Sequence, residues 1–319
     1  MGFFTLVLAG VGFILIGMWE SLLSSSQTPK LDQSSITPGT RPGRKYPYSS
    51  PLTFFSIALL SFFFICNSLY SLIDAVNSKD RVGSPLQLQV LATAFLFLLY
   101  AVLGLLIKFT DSIPLPSSFL SLICLFAFAE EFLLFYLQRK DTVGIENRYF
   151  DMMLVPITIC LFSTVLELKS PKSNLPRLAR GIGLILHGTW FLQMGISFFS
   201  SWMVHGCSLY EKSRGNYTVR CKGHPEYHRG RAIATLQFNF HLAFLVVLVV
   251  AAFSIISRRN GGQGGSEQYR PIGAETHSLD LTGQFSLASD DDEIKGEESM
   301  EKQKPAAIEM GANGHGSHE

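Results

Sequence analysis

The side chains in this sequence that could do chemistry are a few polar residues inside long apolar segments. Glu130 and Glu131 are adjacent in one apolar run, and His241 lies in another. A carboxylate at bilayer depth costs about 2.5–3.5 kcal/mol on insertion scales, so such residues are usually kept for a purpose. A glutamate beside a histidine could move a proton or bind a metal ion. The same groups could instead hold helices together by hydrogen bonds, and the sequence leaves both interpretations open.

Further polar residues lie at similar depth in neighbouring runs, counted at about 1.5 Å of rise per residue. We predict one polar layer from this count, with a glutamate and His241 as partners and the amides as interhelical hydrogen bonds. Helix neighbours are about 100° apart, so only one of the two glutamates can face the bundle. The layer comprises Asn67, Glu130, Glu131, Gln193, Asn239 and His241, while His187 falls about 9 Å below Gln193.

Seven long apolar runs must position these residues. Hydrophobic residues make up 47% of the 319-residue chain and charged residues only 16%, whereas a soluble domain carries roughly 25% charged residues. About 20 apolar residues of helix cross a bilayer core. The runs therefore predict an all-α polytopic membrane protein, a seven-transmembrane-helix bundle in the lipid bilayer over residues 1–257. The predicted helices span residues 3–22, 52–74, 86–108, 117–138, 148–168, 178–200 and 232–257.

The loop before the last run has features of an oxidising, extracytosolic compartment. It contains Asn216-Tyr217-Thr218, which has the form of an N-glycosylation acceptor. It also contains Cys207 and Cys221, which could pair as a disulfide. Lysines and arginines are balanced between the two sides and do not orient the chain by themselves. We therefore predict a lumenal or extracellular N-terminus and a cytosolic C-terminus.

Residues 258–319 differ in composition from the rest of the chain. They are polar, glycine-rich at first and acidic further on. Such a segment cannot bury a core, so it predicts a disordered, acidic cytosolic tail. Within it, the segment from Tyr269 to Ile272 has the tyrosine-x-x-apolar form of a sorting signal. Tyr269 and Ile272 are thus candidate contacts for a sorting adaptor, and a plain solvated tail is the alternative.

Charge and histidine placement argue against several classes of protein. The net charge is +1, and nothing indicates a surface for nucleic acid. A b-type haem takes two axial ligands, whereas His187 and His241, the histidines within the runs, differ in depth by about 9 Å. A catalytic zinc keeps three protein ligands, which is more than these two histidines supply. No metal site and no cofactor are therefore expected, with a haem or a zinc protein as the alternatives.

Two motifs resemble the transmembrane protein 45 family. They are the segment 129–136 (AEEFLLFY) and the segment 187–195 (HGTWFLQMG). Their order and the seven-helix layout match the family over about residues 1–257, although Gly2 is followed by Phe3 where a Gly-His pair is common. The resemblance implies an integral membrane protein of undefined biochemistry, with plant members described as viral-response proteins. It supplies no catalytic residues.

These observations favour a non-enzymatic membrane protein. A carrier, a receptor-like scaffold or a trafficking component of the endomembrane system or plasma membrane fits them. The alternatives are a haem- or metal-binding redox protein and a proton-coupled transporter that uses Glu130 or Glu131 with His241. The sequence specifies neither the ligand nor the oligomeric state.

Overall fold

The structure is a computed structural model that describes residues 2–26, 50–110, 116–138, 144–171, 173–200 and 205–261. Within these ranges the chain forms seven long helices and one β-hairpin. The elements are α1 (Phe3–Ser26), α2 (Pro51–Asn77), α3 (Gly83–Phe109), α4 (Ser117–Leu137), α5 (Glu146–Lys169), α6 (Leu175–Phe199), β1 (Cys207–Ser213), β2 (Asn216–Cys221) and α7 (His224–Gly261). All seven helices are long and apolar enough to cross a membrane. The predicted all-α polytopic bundle is confirmed.

Local capping signals extend several helices beyond the predicted apolar runs. At the start of α2, Ser50 accepts a hydrogen bond from the Thr53 backbone nitrogen at 3.2 Å. Pro51 follows at the first helical position, where a missing N–H does no harm. Helix α6 begins at Leu175, with Pro176 in its first turn, rather than at residue 178. Because α6 begins three residues earlier, every side chain in it lies about 4.5 Å further from the start of the helix than the sequence predicts.

Helices α1 and α6 pack backbone to backbone at two pairs of glycines. A Cβ atom on Gly188 would lie 2.5 Å from the carbonyl oxygen of Gly10, and one on Gly17 would lie 2.6 Å from the carbonyl oxygen of Gly181. Seven residues, about two turns, separate the glycines on each helix, so the close contact continues along one face. Small residues let helices in lipid approach closely, and van der Waals contact then holds them together.

Aromatic side chains fill the space between α5, α6 and α7. Trp190 is fully buried and donates its indole N–H to the carbonyl oxygen of Tyr149 at 2.9 Å. Its ring stacks on Tyr149 at 5.3 Å and meets Phe238 edge-on at 5.0 Å between ring centroids. A buried indole needs a partner for its N–H, and the ring supplies a large apolar contact. Trp190 is thus a packing residue that joins three helices.

The seventh helix is longer than the sequence predicted. It begins at His224, whereas the prediction began at residue 232, and it continues to Gly261. The helix therefore passes the predicted boundary between membrane domain and tail at residue 257. Most of the predicted disordered tail, including Tyr269 and Ile272, lies outside the described residues.

The connection between α6 and α7 contains a β-hairpin, which the pattern of apolar runs does not predict. Strands β1 and β2 pair antiparallel, from Cys207 opposite Cys221 to Ser213 opposite Asn216. Gly215 in the tight turn has φ of +83°, a left-handed conformation that glycine adopts without strain. Cys207 and Cys221 are joined by a disulfide across the open end of the hairpin.

Candidate intramembrane site

Glu131 of α4 and His187 of α6 form a buried acid–base pair. The Oε1 atom of Glu131 lies 3.5 Å from Nε2 of His187, and the two residues are 5% and 0% exposed. The imidazole stacks on Phe13 and Phe191, with ring centroids 4.5 and 4.9 Å away. Among the described residues, none forms a hydrogen bond with either ring nitrogen of His187 or with Oε2 of Glu131. Buried polar atoms without a partner are uncommon in folded proteins, and each calls for an explanation.

The histidine beside Glu131 is therefore His187, and the predicted pairing of a glutamate with His241 is wrong. The prediction counted depth in α6 from residue 178, but the helix begins at Leu175. Measured from the starts of α4 and α6, Glu131 and His187 differ in depth by only about 3 Å. Of the two adjacent glutamates, Glu131 faces the bundle and Glu130 is half-buried.

The other predicted polar residues form separate contacts rather than one layer. His241 of α7 has its Nε2 atom 3.3 Å from Oε1 of Gln193 in α6. Asn67 of α2 accepts a hydrogen bond from the Thr5 hydroxyl of α1 at 3.2 Å. Asn239 is exposed on α7. The amides of Gln193 and Asn67 each join two helices, as interhelical hydrogen bonds do, and the predicted convergence does not occur.

A buried cluster of ion pairs, which the sequence analysis missed, ties α1, α5 and α6 together. Arg180 donates to Glu20 of α1, with its Nε atom at 2.9 Å, and also pairs with Glu167 of α5. Arg177 pairs with the same Glu167 at 2.9 Å. Arg180 is 4% exposed and Glu20 is 6% exposed. Two cations and two carboxylates thus compensate one another, as charges removed from water require.

The sequence carried one usable signal for this cluster. Glu20 is the only charged residue between positions 1 and 26, and a carboxylate near a membrane segment generally has a partner. The predicted helix begins at residue 178, only two residues before Arg180, and a basic residue so near a helix end usually belongs to a loop. The arginine instead lies well inside α6, one turn and a half beyond Leu175.

A cavity of about 90 Å³ lies between α1, α2, α3, α4 and α6. Phenylalanine and aliphatic side chains make up most of its wall. Glu131 lines the cavity, and so do Glu20 and Arg180 of the ion-pair cluster. At roughly 30 Å³ of liquid volume for each water molecule, this space would hold about three waters, or one small organic molecule. The cavity therefore connects the charged sites that the fold brings into the bundle.

Asp80, in the loop between α2 and α3, anchors the β-hairpin. Its Oδ2 atom accepts hydrogen bonds from the Ser213 hydroxyl at 2.7 Å and from the Asn216 side-chain nitrogen at 2.5 Å. Burial by itself would raise the pKa of this carboxyl, but hydrogen bonds from Asn216, Ser213 and two backbone amides outweigh it and hold the pKa well below its usual range. A second anchor is Glu146, whose Oε2 accepts from the Val219 backbone nitrogen at 2.8 Å.

The side chain of Asn216, the predicted glycan acceptor, makes a contact in the folded hairpin. An N-linked glycan is attached to the side-chain nitrogen of asparagine. In the folded hairpin that nitrogen donates to Asp80, and Asn216 is only 7% exposed. A sugar on this nitrogen would have to fit beside the contact, and its attachment stays a prediction.

We expect Asp80→Asn to weaken the attachment of the hairpin at neutral pH by about 1.5–3 kcal/mol, because hydrogen bonds to a charged acceptor are lost. The pKa of Asp80 is lower in the folded state, so its stabilisation is complete above the unfolded-state pKa of about 3.9 and is lost as the pH falls through the folded-state value. Melting temperatures of both proteins between pH 7 and pH 3 measure the effect. The difference should begin to shrink only below about pH 4, and a difference that stays constant to pH 3 would contradict this role.

Two further histidines face each other at the start of α7, outside the apolar run. His224 and His228 are one helical turn apart, and their Nε2 atoms are 3.4 Å apart. Two ligands fall short of the three that a catalytic zinc keeps. In the part of the chain that the structure describes, no group of three or more histidine, cysteine, aspartate or glutamate side chains is arranged to hold a metal ion.

The helices and the cavity define the chain as a polytopic, seven-helix membrane protein with a partly polar space inside its bundle. Residues 117–254 match the model of a protein family of unknown function (DUF716). The matched region covers α4 to α6 and most of α7, and it includes Glu131 and His187. No curated protein matches the chain. The similarity thus agrees with a membrane protein of undefined biochemistry.

Proposed function

We propose that this protein binds a small, mainly apolar molecule inside its helix bundle and acts as a non-enzymatic carrier or receptor in the membrane. The observation that carries this proposal is the cavity between α1, α2, α3, α4 and α6. Ligand sites in helical proteins lie between helices, and they combine apolar walls with a few polar groups that orient the ligand. The largely aromatic and aliphatic wall and the few polar groups on it, among them the carboxyl of Glu131, have this composition.

A groove between α1 and α2 supports entry from the bilayer. Its lining includes Leu8, Leu15 and Phe62 on the outer faces of the two helices, which are exposed. Ile16 and Leu60 line both the groove and the cavity. A molecule dissolved in the lipid could therefore reach the cavity sideways by displacing these two side chains, without crossing water.

Filling the cavity tests the proposal. Ala94 of α3 lines the cavity and is buried, whereas Ala92 on the same helix is exposed. We expect Ala94→Phe to weaken the binding of the single-ring probe 4-fluorotoluene at least tenfold, because the new ring occupies the space that the probe needs. Ala92→Phe adds the same ring on the outside and should bind the probe like the wild type. Binding is measured in lipid nanodiscs from the fluorine NMR signal of the probe, after subtraction of the signal from empty nanodiscs.

A folded Ala94→Phe protein that binds the probe as tightly as the wild type would refute the proposal. So would a wild-type signal that never saturates, because probe dissolved in the lipid alone gives that result. If Ala94→Phe does not fold, Thr93→Phe is the second filling variant, since Thr93 also lines the cavity.

The orientation of the chain is part of the proposal. Disulfides such as the one between Cys207 and Cys221 form and persist in oxidising compartments. We therefore place the hairpin and the N-terminus on the lumenal or extracellular side and the C-terminus in the cytosol. Tyr269 and Ile272 would then be accessible to cytosolic sorting adaptors in the endomembrane system or at the plasma membrane. The resemblance to the transmembrane protein 45 family adds a link to stress or viral response, also as a proposal.

Proton-coupled transport is a second candidate, and one contact favours it. Glu131 and His187 are buried side by side within the bundle, and carboxylate–histidine pairs at this depth serve proton relays in transporters. In this second candidate function, the histidine that exchanges a proton with Glu131 is His187 rather than His241.

A further inference from the structure

The polar atoms along the cavity wall differ in whether they already have partners. Glu131 lines the cavity, and neither of its carboxyl oxygens accepts a hydrogen bond from a described residue. Its Oε1 atom lies 3.5 Å from Nε2 of His187, which has no hydrogen-bond partner itself in the described part of the chain, and its Oε2 atom is buried without one. A carboxyl oxygen accepts hydrogen bonds whether the group is ionised or protonated. The carboxyl of Glu131 is therefore a vacant acceptor on the cavity wall.

The cationic side chain on the cavity wall is already neutralised. Arg180 donates to Glu20 and to Glu167, and Arg177 adds a second cation against Glu167. An anionic ligand would have to separate these pairs and would leave carboxylates buried without a counter-charge, which is strongly unfavourable.

Two threonine hydroxyls on the cavity wall already have partners. Thr93 donates to the carbonyl oxygen of Gln89 in its own helix, at 3.0 Å. The Thr53 hydroxyl contacts the Ser50 hydroxyl at 3.0 Å. The carboxyl of Glu131, by contrast, gains a hydrogen bond only when a ligand supplies the donor.

We infer that the ligand is an apolar molecule with a hydroxyl or amine group that donates a hydrogen bond to the carboxyl of Glu131, and that carboxylates and phosphates are rejected. This inference rests on the proposed binding function. Satisfying a vacant buried acceptor raises affinity by roughly 5- to 100-fold over an analogue that lacks the donor.

Three single-ring probes of one shape test this preference in nanodiscs, and they are the methyl, methanol and carboxylate derivatives of fluorobenzene: 4-fluorotoluene, 4-fluorobenzenemethanol and 4-fluorobenzoate. Affinities are corrected for the partition of each probe into empty nanodiscs. We expect the wild type to bind the methanol derivative about tenfold more tightly than the methyl derivative, and the carboxylate most weakly. Glu131→Leu should bring the methanol derivative to the affinity of the methyl derivative. Glu130→Leu changes the adjacent glutamate, which does not line the cavity, and should keep the preference.

The outcomes separate this inference from the proposed function. Saturable binding of 4-fluorotoluene without preference for the methanol derivative overturns the donor inference and leaves the binding function standing. A preference that survives Glu131→Leu in folded protein overturns it as well. If no probe binds saturably, the proposed function itself fails. If Glu131→Leu does not fold, the comparison of the three probes on the wild type still decides, because equal corrected affinities contradict the inference.

Discussion

Replacing Arg180 by methionine is expected to lower the melting temperature of the protein by about 10 °C. The substitution removes the cation that Glu20 and Glu167 share inside the bundle. Removing one partner of a buried ion pair costs about 3–5 kcal/mol, because a charge is left without compensation. In a chain of this size, each kcal/mol shifts the melting temperature by about 2–4 °C. Thermal melts in detergent, followed by size-exclusion chromatography of the surviving protein, measure the loss.

The double variant Glu20→Met, Arg180→Met is the matched control. It removes one charge of each sign and leaves Glu167 paired with Arg177. Well-packed apolar residues often replace a buried ion pair without loss of stability. The double variant should therefore melt at a higher temperature than the Arg180→Met protein. The decrease in its melting temperature is compared with the decreases caused by Arg180→Met alone and by Glu20→Met alone. If it equals their sum, the two side chains do not interact, and the cluster does not stabilise the bundle as described.

Alanine at Gly188 is expected to disrupt the contact between α1 and α6. Its Cβ atom would lie 2.5 Å from the backbone carbonyl oxygen of Gly10, and backbone cannot move aside as the end of a side chain can. Overpacking typically costs about 1–3 kcal/mol, and here the two helices must separate. We expect a lower melting temperature and a smaller monodisperse fraction than for the wild type.

Gly195→Ala on the same helix is the control for this substitution. Gly195 is also seven residues from Gly188, and the sequence alone suggests the same role for both. A Cβ atom at Gly195 would instead lie 3.5 Å from the Cβ of Leu6, an ordinary van der Waals contact. Gly195→Ala should melt near the wild-type temperature, since alanine is also the better helix former. Equal losses from the two substitutions would show that the glycine contact is not specific to Gly188.

The polar site shows how far sequence reasoning reached. The cost of burying carboxyl and imidazole groups in an apolar run identified Glu131 and His187 as residues of interest. It could not identify Glu131 as the partner of His187, because the depth of a side chain depends on where its helix begins. Leu175 and Pro176 set that start for α6 within a loop that carries little apolar signal. An error of three residues in one helix was enough to select His241 instead.

The ion-pair cluster and the hairpin were missed for different reasons. Arg180 lies near a helix end, where a basic residue usually belongs to a loop, and its partners come from helices far away in the chain. The hairpin has short, largely polar strands, with Tyr217 and Val219 buried. Its stability depends on two acceptors far away in the chain, Asp80 in the loop between α2 and α3 and Glu146 at the start of α5. Long-range partners of this kind leave no local pattern in the sequence.

The sequence by itself determined the seven spans of this protein and the places where polar groups interrupt them. Hydrophobicity and the need to satisfy backbone hydrogen bonds in lipid are local properties that each run carries alone. Only the tertiary structure decided which polar residues meet and that Glu131, rather than Glu130, lines a cavity with a vacant acceptor. The physical reason is that contact in a helix bundle depends on rotation, register and neighbouring helices. Those are set jointly by packing, as between the paired glycines of α1 and α6.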